Sequence, residues 1–330
     1  MDLEDQEPPP PSDRLDFKPA RIEEAQLAAD LITAWIPDEP EDPMVLRHSW
    51  GLEQPQQVQT RHIIRSHGMP IGFLYSSHAA WDLMPERYAY FEVMIARRDE
   101  TSTFVHEAAA FIEERLIDDG AEVLTTDVRE TDSLAVDVFA ERGYRPVRTH
   151  KTWELDLAGA AGRISAMATA SRQRMESLGI RLEVLSARPT ADRHRRLHAC
   201  FEAAAADEPT TVPHVPMPPQ AFEDWLGRPS LREDRIWVAW LGDEMVGYSM
   251  LAYPPIRGTV TTNWTGTVPT IRGRGVARAL KLETLVQAIG AGVGVVRTSN
   301  DGANEPILHL NRELGYREVP GWIEFHRPVR

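Results

Sequence analysis

Two stretches of this chain can be laid on each other: DSLAVDVFAERGYRPV from Asp132 and NEPILHLNRELGYREV from Asn304 align with a shift of 172 residues. Asp132 meets Asn304, Phe139 meets Asn311, Gly143 meets Gly315 and Tyr144 meets Tyr316. An internal repeat constrains a fold more than any single motif, because the same local plan must be built twice. Each stretch opens on a helix-capping residue and carries apolar residues at helical spacing (Leu134 and Val138; Ile307, Leu310 and Leu314). Each then stops at a glycine suited to the left-handed end of a helix. Upstream, MPIGFLYSS at Met69 resembles EMVGYSMLAY at Glu244, with Gly72 and Gly247 in corresponding places.

The 330 residues accommodate two such domains. In the second half the pattern predicts strands beginning near Ile180, Arg235, Glu244, Thr259 and Val293, and helices over 192–206, 276–289 and 305–314. Alternating strands and helices give an α/β or α+β domain, present twice. Four prolines at 8–11 among carboxylates mark 1–14 as an acidic tail without a core. The small-residue stretch 158–179 reads as a partly helical linker, which leaves domains over 15–157 and 180–330.

Composition removes several function classes. No apolar run approaches the roughly 18 residues that cross a bilayer, and the N-terminus is unlike a signal peptide, so a cytoplasmic protein without a membrane partner is expected. Cys200 is the single cysteine, too few for a disulfide or a zinc cluster, and no metal is expected. The net charge of −14 argues against nucleic acid; the run from Arg193 to Arg196 reads as a solvated helix face.

The segment that carries chemistry is TGTVPTIRGRGVARALKLETL, from Thr265. A β-rich stretch ends at Pro269, a loop with two glycines follows, and an amphipathic helix starts near Val276. Gly273 and Gly275 let the backbone approach a ligand, the first helical amides point outward unpaired, and Arg272 and Arg274 add charge: together, an anion site. An ordinary tight turn with solvated arginines is the alternative. The loop is neither a Walker A sequence nor a dinucleotide fingerprint.

Strand, RGRGVA loop, helix, strand and NEPILHLNRELGY together resemble the Gcn5-related N-acetyltransferase (GNAT) superfamily. The resemblance is strong over 180–330 and reaches 15–157 through the repeat; the whole looks like the tandem, two-domain members, with a mycothiol synthase-like architecture. It implies two GNAT-like domains, each a central mixed twisted sheet flanked by helices, and acetyl-CoA as the cofactor. Carried over by position, Arg272, Gly273, Arg274, Gly275, Val276 and Ala277 hold the pyrophosphate. Backbone around Thr267 and Val268 holds the pantetheine arm and polarises the thioester, and Asn304 touches the cofactor or simply caps its helix. Subtracting 172 places Glu100, Thr101, Ser102 and Thr103 where Arg272 to Gly275 stand, so the N-terminal domain is expected to keep the fold without the cofactor.

The family's proton-donating tyrosine position holds Asn311, with Tyr253 and Tyr316 as substitutes. Candidates for a base are Asp301, His309, Glu324 and His326; a solvated face or a salt bridge is the alternative for each. The proline-rich segment between the first two helices of the active half is expected to line the acceptor pocket, with Asp207, Glu208 and Trp225 as substrate contacts. The implied activity is acetyl-CoA-dependent N-acetylation of a primary amine on a small molecule, by a monomer or homodimer. A non-catalytic acyl-CoA sensor and a mycothiol synthase-like enzyme are the alternatives.

Charge divides unevenly. Residues 1–159 hold 15 basic and 32 acidic side chains and residues 160–330 hold 21 and 18, so the half with the glycine loop is slightly basic. The acidity of the first half bears on the acceptor only if that half helps to wall the acceptor's pocket.

Overall fold

The structure, a computed structural model, describes residues 14–206, 210–213 and 215–329; all but the last residue of the acidic tail lies outside them. The first half runs β1 (Asp16–Pro19), α1 (Ala25–Trp35), α2 (Pro43–Trp50), β2 (Gln57–Ser66), β3 (Met69–Ala79), β4 (Tyr88–Ile95), α3 (Ser102–Asp119), β5 (Val123–Arg129), α4 (Ser133–Glu141) and β6 (Arg145–Asp156). After α5 (Leu157–Ser177) the plan repeats as β7 (Ile180–Val184), α6 (Arg193–Ala205), α7 (Pro219–Leu226), β8 (Ile236–Leu241), β9 (Glu244–Ala252), β10 (Val260–Thr267), α8 (Val276–Gly290), β11 (Val295–Asp301), α9 (Glu305–Leu314) and β12 (Arg317–Pro328). The strands and helices expected in the second half are all present, within a few residues of their expected ends.

The repeated stretches form as their residues dictate. Asp132 Oδ1 accepts from the Ala135 N–H and Asn304 Oδ1 from the Ile307 N–H, while Gly143 and Gly315 follow the helices at φ +87° and +83°. Such φ values cost a side chain about 1–2 kcal/mol and glycine nothing.

Twelve strands form one mixed sheet in the order β1-β2-β3-β4-β5-β12-β6-β11-β10-β9-β8-β7. The parallel pairs are β4/β5 and β10/β11. Each half lends its last strand to the other: β12 lies between β5 and β6, and β6 pairs with β11. The sheet therefore runs unbroken through both halves, which a division at 157 and 180 does not convey.

Alternation along the strands assigns the faces. Ala89, Phe91, Val93 and Ile95 join one core with α3 and α4, and Trp153, Leu155 and Val296 join another with α5, α8 and α9 on the same face. Phe73, Met94 and Trp322 pack with α1 on the other face, where Val238, Tyr248 and Met250 pack with α6 and α7.

The expected linker is helical throughout α5. Asp156 caps it, and Leu157, Ala160, Ile164, Ala168, Ser171 and Met175 are buried at helical spacing. Its small residues allow a close approach to α8, and Arg172 grips the buried Glu283 through both oxygens at 2.6 and 2.9 Å. No helix among the described residues is long and apolar enough to cross a membrane.

Candidate acyl-transfer site

After β10 the chain makes a single 3-10 turn, Pro269–Ile271, and enters α8 through Gly273 (φ +75°) and Gly275 (φ +86°). Gly275 is the N-cap and no side chain caps the helix. The first intrahelical bond runs from the Ala279 N–H to the Gly275 carbonyl, so the amides of Val276, Ala277 and Arg278 remain at the open end. Arg272 and Arg274 are exposed beside it, and space around Gly273 is empty for 4 Å beyond where a Cβ would stand. A third cation joins them. Arg174, in the last turn of α5, brings its Nε to 3.7 Å from the Cβ position of Gly275. Nothing in the small-residue stretch that carries Arg174 signalled this approach.

The corresponding place in the first half is closed. Thr101 caps α3 by accepting from the Phe104 N–H, and Glu100 sits before it, paired with Arg97 at 2.7 Å. One helix start is thus self-satisfied and carries a carboxylate; the other offers free amides among arginines.

The second half also opens a cleft. β10 and β11 pair only at Val260 with Val296 and Thr261 with Arg297. β10 then bulges between Thr262 and Trp264, its bond to β11 ends, and it follows β9 alone. The Val268 N–H donates to the Val246 carbonyl at 3.0 Å. Of the backbone expected around Thr267 and Val268 to hold the arm and polarise the thioester, the Val268 donor is already used within the sheet. Backbone direction alternates along a strand, so it is the Thr265 and Thr267 amides that face the cleft.

Beneath the cleft, on the α8 and α9 face, lies a buried polar trio. Lys281 Nζ donates to Asn311 Oδ1 at 2.7 Å, and Asn311 Nδ2 donates to Asn300 Oδ1 at 2.8 Å. Lys281 and Asn311 are almost wholly buried, and Tyr316 places its ring 4.9 Å from the ammonium. Burial lowers the Lys281 pKa to about 7 and pushes the Tyr316 phenol well above its usual value. The same shift of 172 puts Ala109, Phe139 and Val128 at these positions in the first half, where all three are apolar core. Asn311 is thus tied to a lysine that sequence reasoning missed.

On the opposite face, a cavity of about 540 Å³ lies against the start of the cleft. Thr261, Thr262, Asn263 and Ser299 contribute from the second half, whereas Glu39, Pro40, Glu41, Asp42 and Val45 come from the first. The segment joining α1 to α2 crosses over to wall the other half's pocket. Asp42 pins it: Oδ2 accepts from the Ile256 and Arg257 N–H groups at 2.6 and 3.0 Å, and Oδ1 from those of Met44 and Val45. Burial, with Asp42 alongside, raises the Glu41 pKa to about 7. Asn263 Oδ1 is buried there with no hydrogen-bond partner among the described residues.

The remaining expected residues are placed elsewhere. Asp301 pairs with Arg148 at 2.8 Å and accepts from the Ala303 N–H, so it holds a turn and is not a free base. Glu324 lies on β12 over the first half, bonded to Thr211 and to His326; burial opposes its charge, yet donors from His150, His326 and Thr211 hold its pKa far below the usual range. Its neighbours Asp127 and His150 bring donor atoms within 4.8 Å of it and of each other, away from the cleft. His309 is exposed, and Tyr253 packs under Arg235 at 4.1 Å. Asn304 uses its side-chain oxygen as a cap.

The segment between α6 and α7 crosses in the opposite sense to that expected. Val212, Pro213 and Val215 line a cavity of about 280 Å³ against the first half. Asp207 and Glu208 lie outside the described residues. Trp225 packs among Phe201, Phe222 and Arg228 rather than at the cleft.

No family model and no curated protein matches the chain. Solved structures do. A tandem GNAT protein from the clavulanic acid biosynthesis pathway, without AcCoA, superposes with a TM-score of 0.74 at 14% identity over 96% of this chain and 99% of its own. A GCN5-related N-acetyltransferase from Sphaerobacter thermophilus gives 0.65 at 19% identity over 97% and 98%. A GNAT-family acetyltransferase from Colwellia psychrerythraea gives 0.58 at 9% identity over 95% and 99%. At these identities the likeness is one of fold, and that fold is the tandem GNAT architecture.

Proposed function

We propose that this tandem GNAT fold is an acyl-CoA-dependent N-acyltransferase, with acetyl-CoA as donor and a primary amine of a small molecule as acceptor, and that its second half performs the reaction. The observation that carries the reading is the contrast between two equivalent helix starts: α8 is uncapped among three arginines at the mouth of a splayed strand pair, whereas α3 is capped and acidic.

The residues present fit such a donor. Free amides of Val276, Ala277 and Arg278, with Arg272, Arg274 and Arg174, suit a diphosphate, and no Cβ fills the approach at Gly273. The Thr265 and Thr267 amides suit the peptide-like arm. Bound there, acyl-CoA supplies an activated thioester. The chain supplies the rest. An ammonium must lose a proton before it can attack, and Glu41, with a pKa of about 7 in a cavity against the cleft, can accept it at its carboxylate. A departing thiolate requires a proton, and Lys281 holds one at Nζ beneath the cleft, half charged near pH 7. Between ammonium and amide the nitrogen sheds two protons: Glu41 takes the first, and the second replaces the one that Lys281 gives to the thiolate, so one proton per turnover passes from Glu41 to water.

Glu41 thus takes the role expected of Asp301 or Glu324, and the acidity of the first half does bear on the acceptor. The reading is tested by following thiol release from acetyl-CoA against a panel of small amines. Turnover supports it, and tight coenzyme A binding without turnover on any amine favours a sensor.

A further inference from the structure

The cavity on the acceptor face contains five charged side chains whose pairing can be traced one by one. Glu39 is bonded to Arg129 and lies 3.6 Å from Arg297. Arg297 also pairs with Glu154 at 3.0 Å and donates to the Asp38 carbonyl at 2.7 Å. Asp42 is spent on four backbone N–H groups. Two groups are left. Glu41, on the segment from the first half, has no hydrogen bond to its carboxylate among the described residues. Arg228, on the loop after α7 of the second half, has a buried Nε without a hydrogen-bond partner among the described residues, and its guanidinium lies 5.9 Å from the Trp225 ring centre.

Burial alone lowers the Arg228 pKa; no carboxylate stands close enough to raise it. A guanidinium withdrawn from water without a counter-ion is costly, and the planar donor fork matches a carboxylate through two parallel hydrogen bonds. Glu41 is a partial mirror case, a carboxylate withdrawn from water beside Asp42, with Arg257, bonded to its main-chain carbonyl, offsetting only part of that cost. The two lie on segments from different halves, far enough apart that neither registers in the other's titration. The wall around them is built of short polar side chains, Ser230, Thr261, Thr262, Asn263 and Ser299, which suit a small polar molecule.

We infer that the acceptor is a zwitterion of amino-acid type, its carboxylate seated on Arg228 and its amine turned toward Glu41. The inference rests on the acyltransferase reading for the fate of the amine, but the charge pairing stands on binding alone. An amine lacking the carboxylate would leave the half-buried Arg228 unpaired, so the pocket discriminates against it.

The test is calorimetric. The twenty proteinogenic amino acids, β-alanine and 4-aminobutyrate are titrated into the full chain, with and without coenzyme A, beside the amines formed by removing each carboxylate. At least one amino acid is expected to bind tenfold or more tightly than its amine. Arg228→Gln should erase that preference while leaving the amine's affinity unchanged, and Arg228→Lys should restore part of it. Equal or tighter binding of the amines, binding by no amino acid, or an equal loss for both ligand classes in Arg228→Gln would overturn the inference. Should the carboxylate preference hold while the bound amino acid releases no thiol from acetyl-CoA, the pairing survives and the acyltransferase reading fails.

Discussion

The Lys281 ammonium and the Asn311 side chain meet at 2.7 Å, with neither reaching solvent, in a position where the other half of the same chain has Ala109 against Phe139. Two copies of one plan thus differ most where the first has apolar packing and the second a lysine without a buried carboxylate partner. Of the groups facing that ammonium, Asn311 from α9 accepts its bond, Asn300 of β11 stands behind Asn311, and the ring of Tyr316, just before β12, covers it, while Glu283 on its own helix is committed to Arg172. A buried cation held this way weakens the fold, so its retention in one half needs a reason outside stability.

Lys281→Met should stabilise the chain near pH 7, and the gain should shrink as pH rises. The folded-state pKa, about 7, lies below the unfolded value near 10.5, so the unfolded chain binds more protons across that window and the wild type grows more stable from pH 7 to 10. Methionine has nothing to titrate. The difference should be roughly 1–4 kcal/mol at its largest, taking one to three pKa units at about 1.36 kcal/mol each. Urea melts of both proteins at pH 7 and pH 9.5 read it directly. A pH-independent difference would place Lys281 in water.

The pH dependence of acyl transfer should be a narrow bell centred near 7. Glu41 must be ionised to take a proton and Lys281 charged to give one, so activity rises through about 7 on the acid side and falls through about 7 on the alkaline side. Glu41→Gln should lower kcat/KM by about 10²–10⁴ and abolish the acid limb; Lys281→Met should abolish the alkaline limb. Steady-state rates from pH 5.5 to 9 check both, and an unchanged acid limb in Glu41→Gln would assign the base elsewhere.

Asp42→Ala should release the segment that walls the acceptor pocket. Removing one carboxylate strands four backbone N–H groups, a cost of roughly 2–4 kcal/mol. Burial opposes ionisation of Asp42, but those four donors outweigh it and hold the pKa below its usual value, so its contribution is complete above about pH 4 and is lost as pH falls through the lowered value. Hydrogen exchange should show new opening confined to the α1–α2 segment and to Ile256 and Arg257, with acceptor KM raised and coenzyme A affinity kept.

Local pattern made much of this molecule legible before any coordinates. The caps at Asp132 and Asn304, the left-handed glycines and the uncapped entry to α8 all follow from residues within one or two turns of each other. What stayed hidden is long-range. Nothing near β12 records that its partners are β5 and β6, nor does anything near Glu41 record that it faces a strand bulge more than two hundred residues away. The pocket wall was sought in the segment between α6 and α7 because sequence keeps a loop with its own half, whereas these two loops cross. Lys281 was missed because α8 is buried around most of its circumference, so a polar residue between Leu280 and Leu282 carries no sign of which way it faces.

The central claim is that one half of a doubled fold binds the acyl donor and the other does not, and a calorimetric titration of coenzyme A into the full chain tests it most directly. One site per chain is expected, lost in Gly275→Glu, weakened about tenfold or more by Arg174→Glu, and untouched by Glu100→Ala. Two equivalent sites per chain, or one site that survives Gly275→Glu in a folded protein, would contradict it.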